Sequence, residues 1–287
     1  MSKLVQANTI DKLLLQGYYA THNKDLALLH VHGFEGNFYE NKFVHVIAEH
    51  LEKANISFLS INTRGCEKIK DINMVDGNIT TIGARYELLE DSPKDIDAWI
   101  EFLLNDGIKK IVLQGHSLGT MKAVRYLHEG KYKEKIEKLI LLAPFDKKSL
   151  METYTQTPIT DLLKKAQDQV NAGNGSEIIT DEFDSIELSY KTYLSWYKQD
   201  DLGRMFEFCS PDYDFPALKN LEIPVKVIVG SLDEFFYVKE PDNYTKALEI
   251  LKSHISNCET VLIEGANHGY TGYEDRLASE VVKFLKK

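Results

Sequence analysis

Short apolar runs alternate along this chain with longer stretches in which hydrophobic residues share one helical face. Leu26–Val31 and the runs at residues 56–61, 111–113, 139–142, 225–229 and 260–263 are too short and too apolar for surface helices, and predict buried strands. After the first run, Phe43, Val46, Ile47, His50 and Leu51 fall at i, i+3, i+4, i+7 and i+8, one stripe of an amphipathic helix. Ser92-Pro93-Lys94-Asp95 announces another. There serine can cap, proline suits the first turn and the aspartate faces the positive helix end. The pattern then runs through Ile96, Trp99, Ile100 and Leu103 to a stop at Gly107. Residues 276–287 carry Leu277, Val281, Phe284 and Leu285 at helical spacing and predict a terminal helix, while Leu13 to Tyr19 and their neighbours predict an antiparallel hairpin. Such alternation is the pattern of an α/β fold, a mostly parallel central sheet flanked by helices.

The alternation breaks between residues 147 and 222, a span too long for an ordinary connection. It predicts a helical cap insertion at 147–222, with 1–146 and 223–287 forming the core. The insertion is rich in aromatics, among them Tyr154, Tyr190, Tyr193, Trp196, Tyr197, Phe206 and Phe208. Two readings stay open. The rings form the insertion's own core, or some of them, with Tyr154, Tyr193, Trp196 and Tyr197 as the candidates, line a substrate pocket.

Composition narrows the function classes. The 287 residues carry 34 Lys+Arg against 44 Asp+Glu, a formal charge of −10, which argues against a nucleic-acid partner. With 43% hydrophobic residues the chain has material for a core, yet no stretch approaches the roughly 18 apolar residues of a membrane span and the start is not signal-like. A cytoplasmic protein, monomer or homodimer, is expected. Cys66, Cys209 and Cys258 are odd in number and never in C-x-x-C spacing, so they suggest neither a disulfide framework nor zinc. His30-Val31-His32 puts two imidazoles on one strand face, but no nearby carboxylate or H-E-x-x-H completes a metal site. No metal and no cofactor are expected.

The strongest chemical signal is Gly115-His116-Ser117-Leu118-Gly119, which follows the strand at 111–113 and precedes a helix-like stretch at 120–127. In a strand–turn–helix elbow a serine sits on a strained turn, flanking glycines remove clashing side chains, and the helix N-terminus points free N–H groups at a developing oxyanion. With this motif the sequence resembles the α/β-hydrolase superfamily, in its serine-esterase-like form, over nearly the whole chain. The resemblance implies the order nucleophile, acid, histidine. Val227-Ile228-Val229-Gly230-Ser231-Leu232-Asp233 would supply the triad acid, and Ile263-Glu264-Gly265-Ala266-Asn267-His268 the base. Glu234 and Asp242 remain alternatives to Asp233. His32-Gly33-Phe34-Glu35-Gly36 is similar to the H-G-F-x-G loop of esterases, which implies an oxyanion hole from the main-chain N–H groups of Phe34 and Leu118 and places His32 near the substrate.

Each role has a physical reason. Ser117 is a weak nucleophile until a base takes its proton, an imidazole such as His268 titrates near neutrality, and Asp233 would orient it and stabilise its charged form. Two N–H donors would stabilise the oxyanion by roughly 3 kcal/mol each. Other residues have blander readings: His116 as a structural residue turned from the nucleophile, His254 as a surface histidine, Cys66 as incidental, and Asn171-Ala172-Gly173-Asn174-Gly175 as a flexible bend. Arg64 either receives a substrate anion or braces its loop by an ion pair. The function expected is a serine carboxylester hydrolase acting through an acyl-enzyme on a small to medium ester, with a bulky natural-product ester or macrocyclic, macrolide-like lactone in range. Amidase, peptidase or thioesterase action with the same triad is the alternative, as is a ligand-binding receptor on a hydrolase scaffold.

Overall fold

A parallel strand covered by helices on both faces is apolar at consecutive positions, and that is how the central runs of this chain are built. The computed structural model describes residues 2–180, 186–210, 212–236 and 244–287. In chain order they form β1 (Ser2–Asn8), β2 (Leu14–Ala20), β3 (Leu26–Val31), α1 (Lys42–Lys53), β4 (Ser57–Ile61), β5 (Lys70–Asn73), β6 (Ile79–Ile82), α2 (Ser92–Asn105), β7 (Lys110–His116), α3 (Leu118–Glu129) and β8 (Ile136–Leu142). There follow α4 (Lys147–Tyr154), α5 (Ile159–Asn171), α6 (Tyr190–Trp196), α7 (Pro216–Lys219), β9 (Val225–Gly230), α8 (Tyr244–His254), β10 (Cys258–Ile263) and α9 (Glu274–Leu285).

The main sheet has eight strands in the order β1-β2-β4-β3-β7-β8-β9-β10. β1 and β2 form the expected antiparallel hairpin, β2 runs antiparallel to β4, and every pairing from β4 to β10 is parallel. Alternate side chains point to opposite faces and so divide between two layers. Leu28, Phe58, Val112, Ile140 and Ile228 pack with Phe43 and Ile47 of α1 and with Leu277 and Val281 of α9. Their neighbours Leu29, Leu59, Leu113, Leu141 and Val229 pack with Trp99 and Leu103 of α2, Val124 of α3 and Leu251 of α8. At roughly 2 kcal/mol for each fully buried side chain, these layers hold the C-terminal strand ends as a rigid rim.

Three details depart from the expectations. Ser92 does not cap α2: a 3-10 turn, Leu89–Asp91, precedes it, and Ser92 Oγ donates to Leu89 O at 2.7 Å from inside the first turn. Asp95 is committed to Arg64 rather than left to the helix end, because it accepts the Arg64 main-chain N–H at 2.7 Å as well as the guanidinium. Residues 70–82, where no element was predicted, contain the β5–β6 hairpin, turning where Gly77 takes φ +85°. Asp76-Gly77 was the available signal.

Between β8 and β9 lie α4 to α7, with α5 packed on α6. Tyr190, Tyr193, Trp196, Tyr197, Phe206 and Phe208 are buried in the same apolar cluster as the sheet face beneath α2 and α3. No helix among the described residues is long and apolar enough to cross a membrane.

Candidate active site

β7 ends at His116 and α3 begins at Leu118, so Ser117 alone makes the turn, at φ 53° and ψ −124°. An L residue held there costs about 1–3 kcal/mol. The neighbouring glycines make the turn sterically feasible. A Cβ on Gly115 would collide with the Gly119 carbonyl, one on Gly119 with the Val31 carbonyl, and one on Gly33 would stand 2.8 Å from Ser117 Cβ. Ser117 N–H donates to Leu142 O at 2.9 Å, tying the turn to β8. Leu118 is buried as the first residue of α3, where N–H groups lack intrahelical acceptors.

Asp233 and His268 follow the ends of the paired strands β9 and β10, and their side chains meet. His268 Nδ1–H donates to Asp233 Oδ1 at 2.8 Å, which leaves Nε2 as the basic nitrogen. The main chain of the histidine is gripped from both sides. Its N–H donates to Glu234 Oε2 at 3.2 Å, and its carbonyl accepts from His116 Nε2 at 3.0 Å. Glu234 thus holds the backbone while Asp233 holds the ring; Asp242 lies outside the described residues. Burial pushes the His116 pKa well below the ordinary imidazole range, so the ring is a neutral donor facing the base loop.

Ser117 and His268 border one cavity of about 710 Å³. Phe34, Phe145, Leu150 and Phe235 supply apolar wall, and Glu35 and Glu40 supply carboxylates. Of the four insertion aromatics singled out above, Tyr154 and Trp196 reach this wall, with the Trp196 ring edge-on to Phe34 at 5.3 Å. Tyr193 and Tyr197 do not. They are buried, with ring centroids 4.7 Å apart, because their faces of the chain turn into the core. Phe145, Leu150 and Phe235 escaped the sequence reading, although Phe145 and Phe235 lie in loops just beyond strand ends, where such walls arise.

His32 is likewise displaced from its expected place at the substrate. It is fully buried and absent from the cavity wall. Its Nε2 accepts the Thr63 main-chain N–H at 3.1 Å, so the proton sits on Nδ1, which donates to Gly33 O at 2.7 Å. His30 contacts Gln114 at 2.8 Å. Among the described residues no His, Cys, Asp and Glu side chains cluster as a metal site.

Arg64 is a brace. Its guanidinium meets Asp95 Oδ1 at 2.7 Å and Asp11 Oδ2 at 2.9 Å. Burial pushes the Cys66 thiol up to about 12, which leaves it unreactive at neutral pH. His254, half-buried, packs edge-on to Phe215 at 4.9 Å. The bend after α5 has Gly173 at φ +90°, a helix-terminating conformation.

A mostly parallel sheet in this order, with a serine turn after β7, an aspartate after β9 and a histidine after β10, is the α/β-hydrolase fold, and this chain has it. Solved structures share this fold. Est1E from Butyrivibrio proteoclasticus, solved with ferulic acid bound, superposes with a TM-score of 0.66 at 17% identity, over 98% of this chain and 97% of that one. The Pyrococcus furiosus esterase Pf2001 gives 0.62 at 18% identity, over 100% and 92%. The monoacylglycerol lipase of Paleococcus ferrophilus gives 0.62 at 18%, over 94% and 98%. Likeness at these identities is likeness of fold. In sequence, residues 79–215 match a family described as "Protein of unknown function (DUF1749)". No curated protein matches significantly.

Proposed function

We propose that the protein is a serine carboxylester hydrolase that works through an acyl-enzyme on a small to medium ester. The observation that carries the reading is the pairing of a serine held at positive φ with an aspartate-bound histidine on the wall of one apolar cavity. In this mechanism His268 Nε2 takes the proton of Ser117 Oγ as Oγ attacks the ester carbonyl carbon. The main-chain N–H groups of Phe34 and Leu118 stabilise the oxyanion. Collapse breaks the bond to the alcohol oxygen, which leaves with the proton from His268. Water, deprotonated by the same nitrogen, then attacks the acyl carbon, releasing the acid and returning the proton to Ser117.

Residues 147–222 act in this reading as a cap that brings Tyr154 and Trp196 over the substrate. The cavity volume lies in the upper part of the range of about 300–1,000 Å³ typical of small-molecule sites, which keeps bulky esters and macrocyclic lactones in range. The esterase and lipase names of the structural neighbours favour esters over other acyl compounds.

The test is intact-mass spectrometry after fluorophosphonate treatment, beside a panel of short-chain aryl esters, macrocyclic lactones, thioesters and aryl amides. One adduct, absent from Ser117→Ala, together with ester turnover supports the proposal. An adduct with turnover only of amides or thioesters moves the reading to those hydrolases; the lack of any adduct overturns it.

A further inference from the structure

We propose that the buried Lys122–Glu87 ion pair is a positioning device that aims the Phe34 main-chain N–H at the reaction centre, acting through Thr63 and His32. The inference rests on the esterase reading above and deepens it.

Four segments converge behind the His32-Gly33-Phe34 loop. Lys122 lies in α3, the helix that starts beside Ser117; Glu87 precedes α2; Thr63 and His32 follow β4 and β3. Lys122 Nζ stands 2.7 Å from Glu87 Oε1, with both side chains at most 1% exposed. It also donates to Thr63 Oγ1 at 3.0 Å. That hydroxyl in turn donates to Glu87 Oε1 at 3.2 Å, and Thr63 presents its main-chain N–H to His32 Nε2. His32 is thereby restricted to the tautomer with its proton on Nδ1, the nitrogen that donates to Gly33 O. Gly36 N–H donates to the same carbonyl at 3.3 Å.

The Gly33 carbonyl and the Phe34 N–H are opposite ends of one planar trans peptide, so pinning the first aims the second. A protonated His32 would set a new N–H against the Thr63 N–H and release the loop. Lys122 from α3, His30 from β3 and His116 from β7 all face His32 and oppose its protonation, with burial as the largest cause. Glu87, across Thr63, balances the lysine charge. Burying such a pair carries a desolvation cost that an apolar pair of equal volume would avoid, so stability alone does not account for it.

The test uses Lys122→Met/Glu87→Gln, which removes both charges together, and Thr63→Val, which leaves the charges and deletes the linking hydroxyl. The readouts are the rate of fluorophosphonate adduct formation on Ser117, kcat and KM for a short-chain aryl ester between pH 5 and 9, and thermal unfolding. Both variants are expected to label and turn over roughly 10- to 100-fold more slowly with KM little changed, a partial loss of one oxyanion donor. Folded variants with the wild-type labelling rate and kcat, or with only KM altered, would overturn the proposal. Should the double variant not fold, Thr63→Val decides alone. A wild type that never labels at Ser117 is a different failure, that of the esterase reading itself, and the positioning role falls with it.

Discussion

Strain at Ser117 can be measured by comparing two substitutions that both delete the nucleophile. Ser117→Ala removes Oγ and keeps a Cβ at φ 53°, whereas Ser117→Gly removes the Cβ as well, in a conformation that glycine adopts freely. The strain released is about 1–3 kcal/mol. The added freedom of glycine in the unfolded chain takes back about 0.4–1 kcal/mol. The glycine variant should therefore be more stable than the alanine variant by about 1–2 kcal/mol, or roughly 2–3 °C in Tm for a chain of this size. Urea unfolding followed by fluorescence of the buried Trp99 and Trp196, with calorimetry in parallel, reads the difference. Neither variant should take a fluorophosphonate adduct. A glycine variant no more stable than the alanine variant would refute the claim that the elbow stores strain.

Further outcomes follow from the contacts around the site. Asp233→Asn should lower kcat by roughly 10³- to 10⁴-fold with Tm little changed, because the ring keeps a neighbour but loses the tautomer it needs. Glu234→Gln, which changes a contact to the His268 main chain rather than to its ring, should lose less than about tenfold; the reverse ranking in a kinetic comparison would transfer the acid role to Glu234. Tyr154→Ala, at a wall position that is 44% exposed, should raise KM for aryl esters by roughly three- to tenfold with kcat near wild type; equal loss in kcat would refute a simple binding role. Lys147, buried and donating to Gly203 O at 3.2 Å, has its pKa pushed down to about 7 by burial. The unfolded chain, with a lysine pKa of about 10.4, binds the proton more strongly between those values, so stability should rise with pH across that window by up to about 1.4 kcal/mol per unit. Lys147→Met should remove that contribution and be most stabilising at and below neutral pH, as denaturant titrations at pH 6 and 9 would reveal.

The sheet strands and the amphipathic helices were legible in the sequence because each is carried by local spacing, and the resemblance pointed to Ser117, Asp233 and His268 as residues that lie just past strand ends. A buried strand declares itself by consecutive apolar residues, and a residue just past such a strand must lie on the rim of the sheet. The elbow glycines were legible for the same reason, since their constraint acts within a few residues. What spacing does not specify is which way a loop side chain turns. Only the pairing of β9 with β10 gives His268's ring to Asp233 and its main chain to Glu234. Only the packing behind β3 and β4 takes His32 away from the substrate and sets it under Thr63. Tyr193 and Tyr197 share their composition with Tyr154 and Trp196 but enter the core, and Lys122 meets Glu87 although nothing in either neighbourhood advertises the other. Periodicity reports which face of an element is buried; the partners it is buried against are chosen by sheet order and helix placement, which bring together residues distant along the chain.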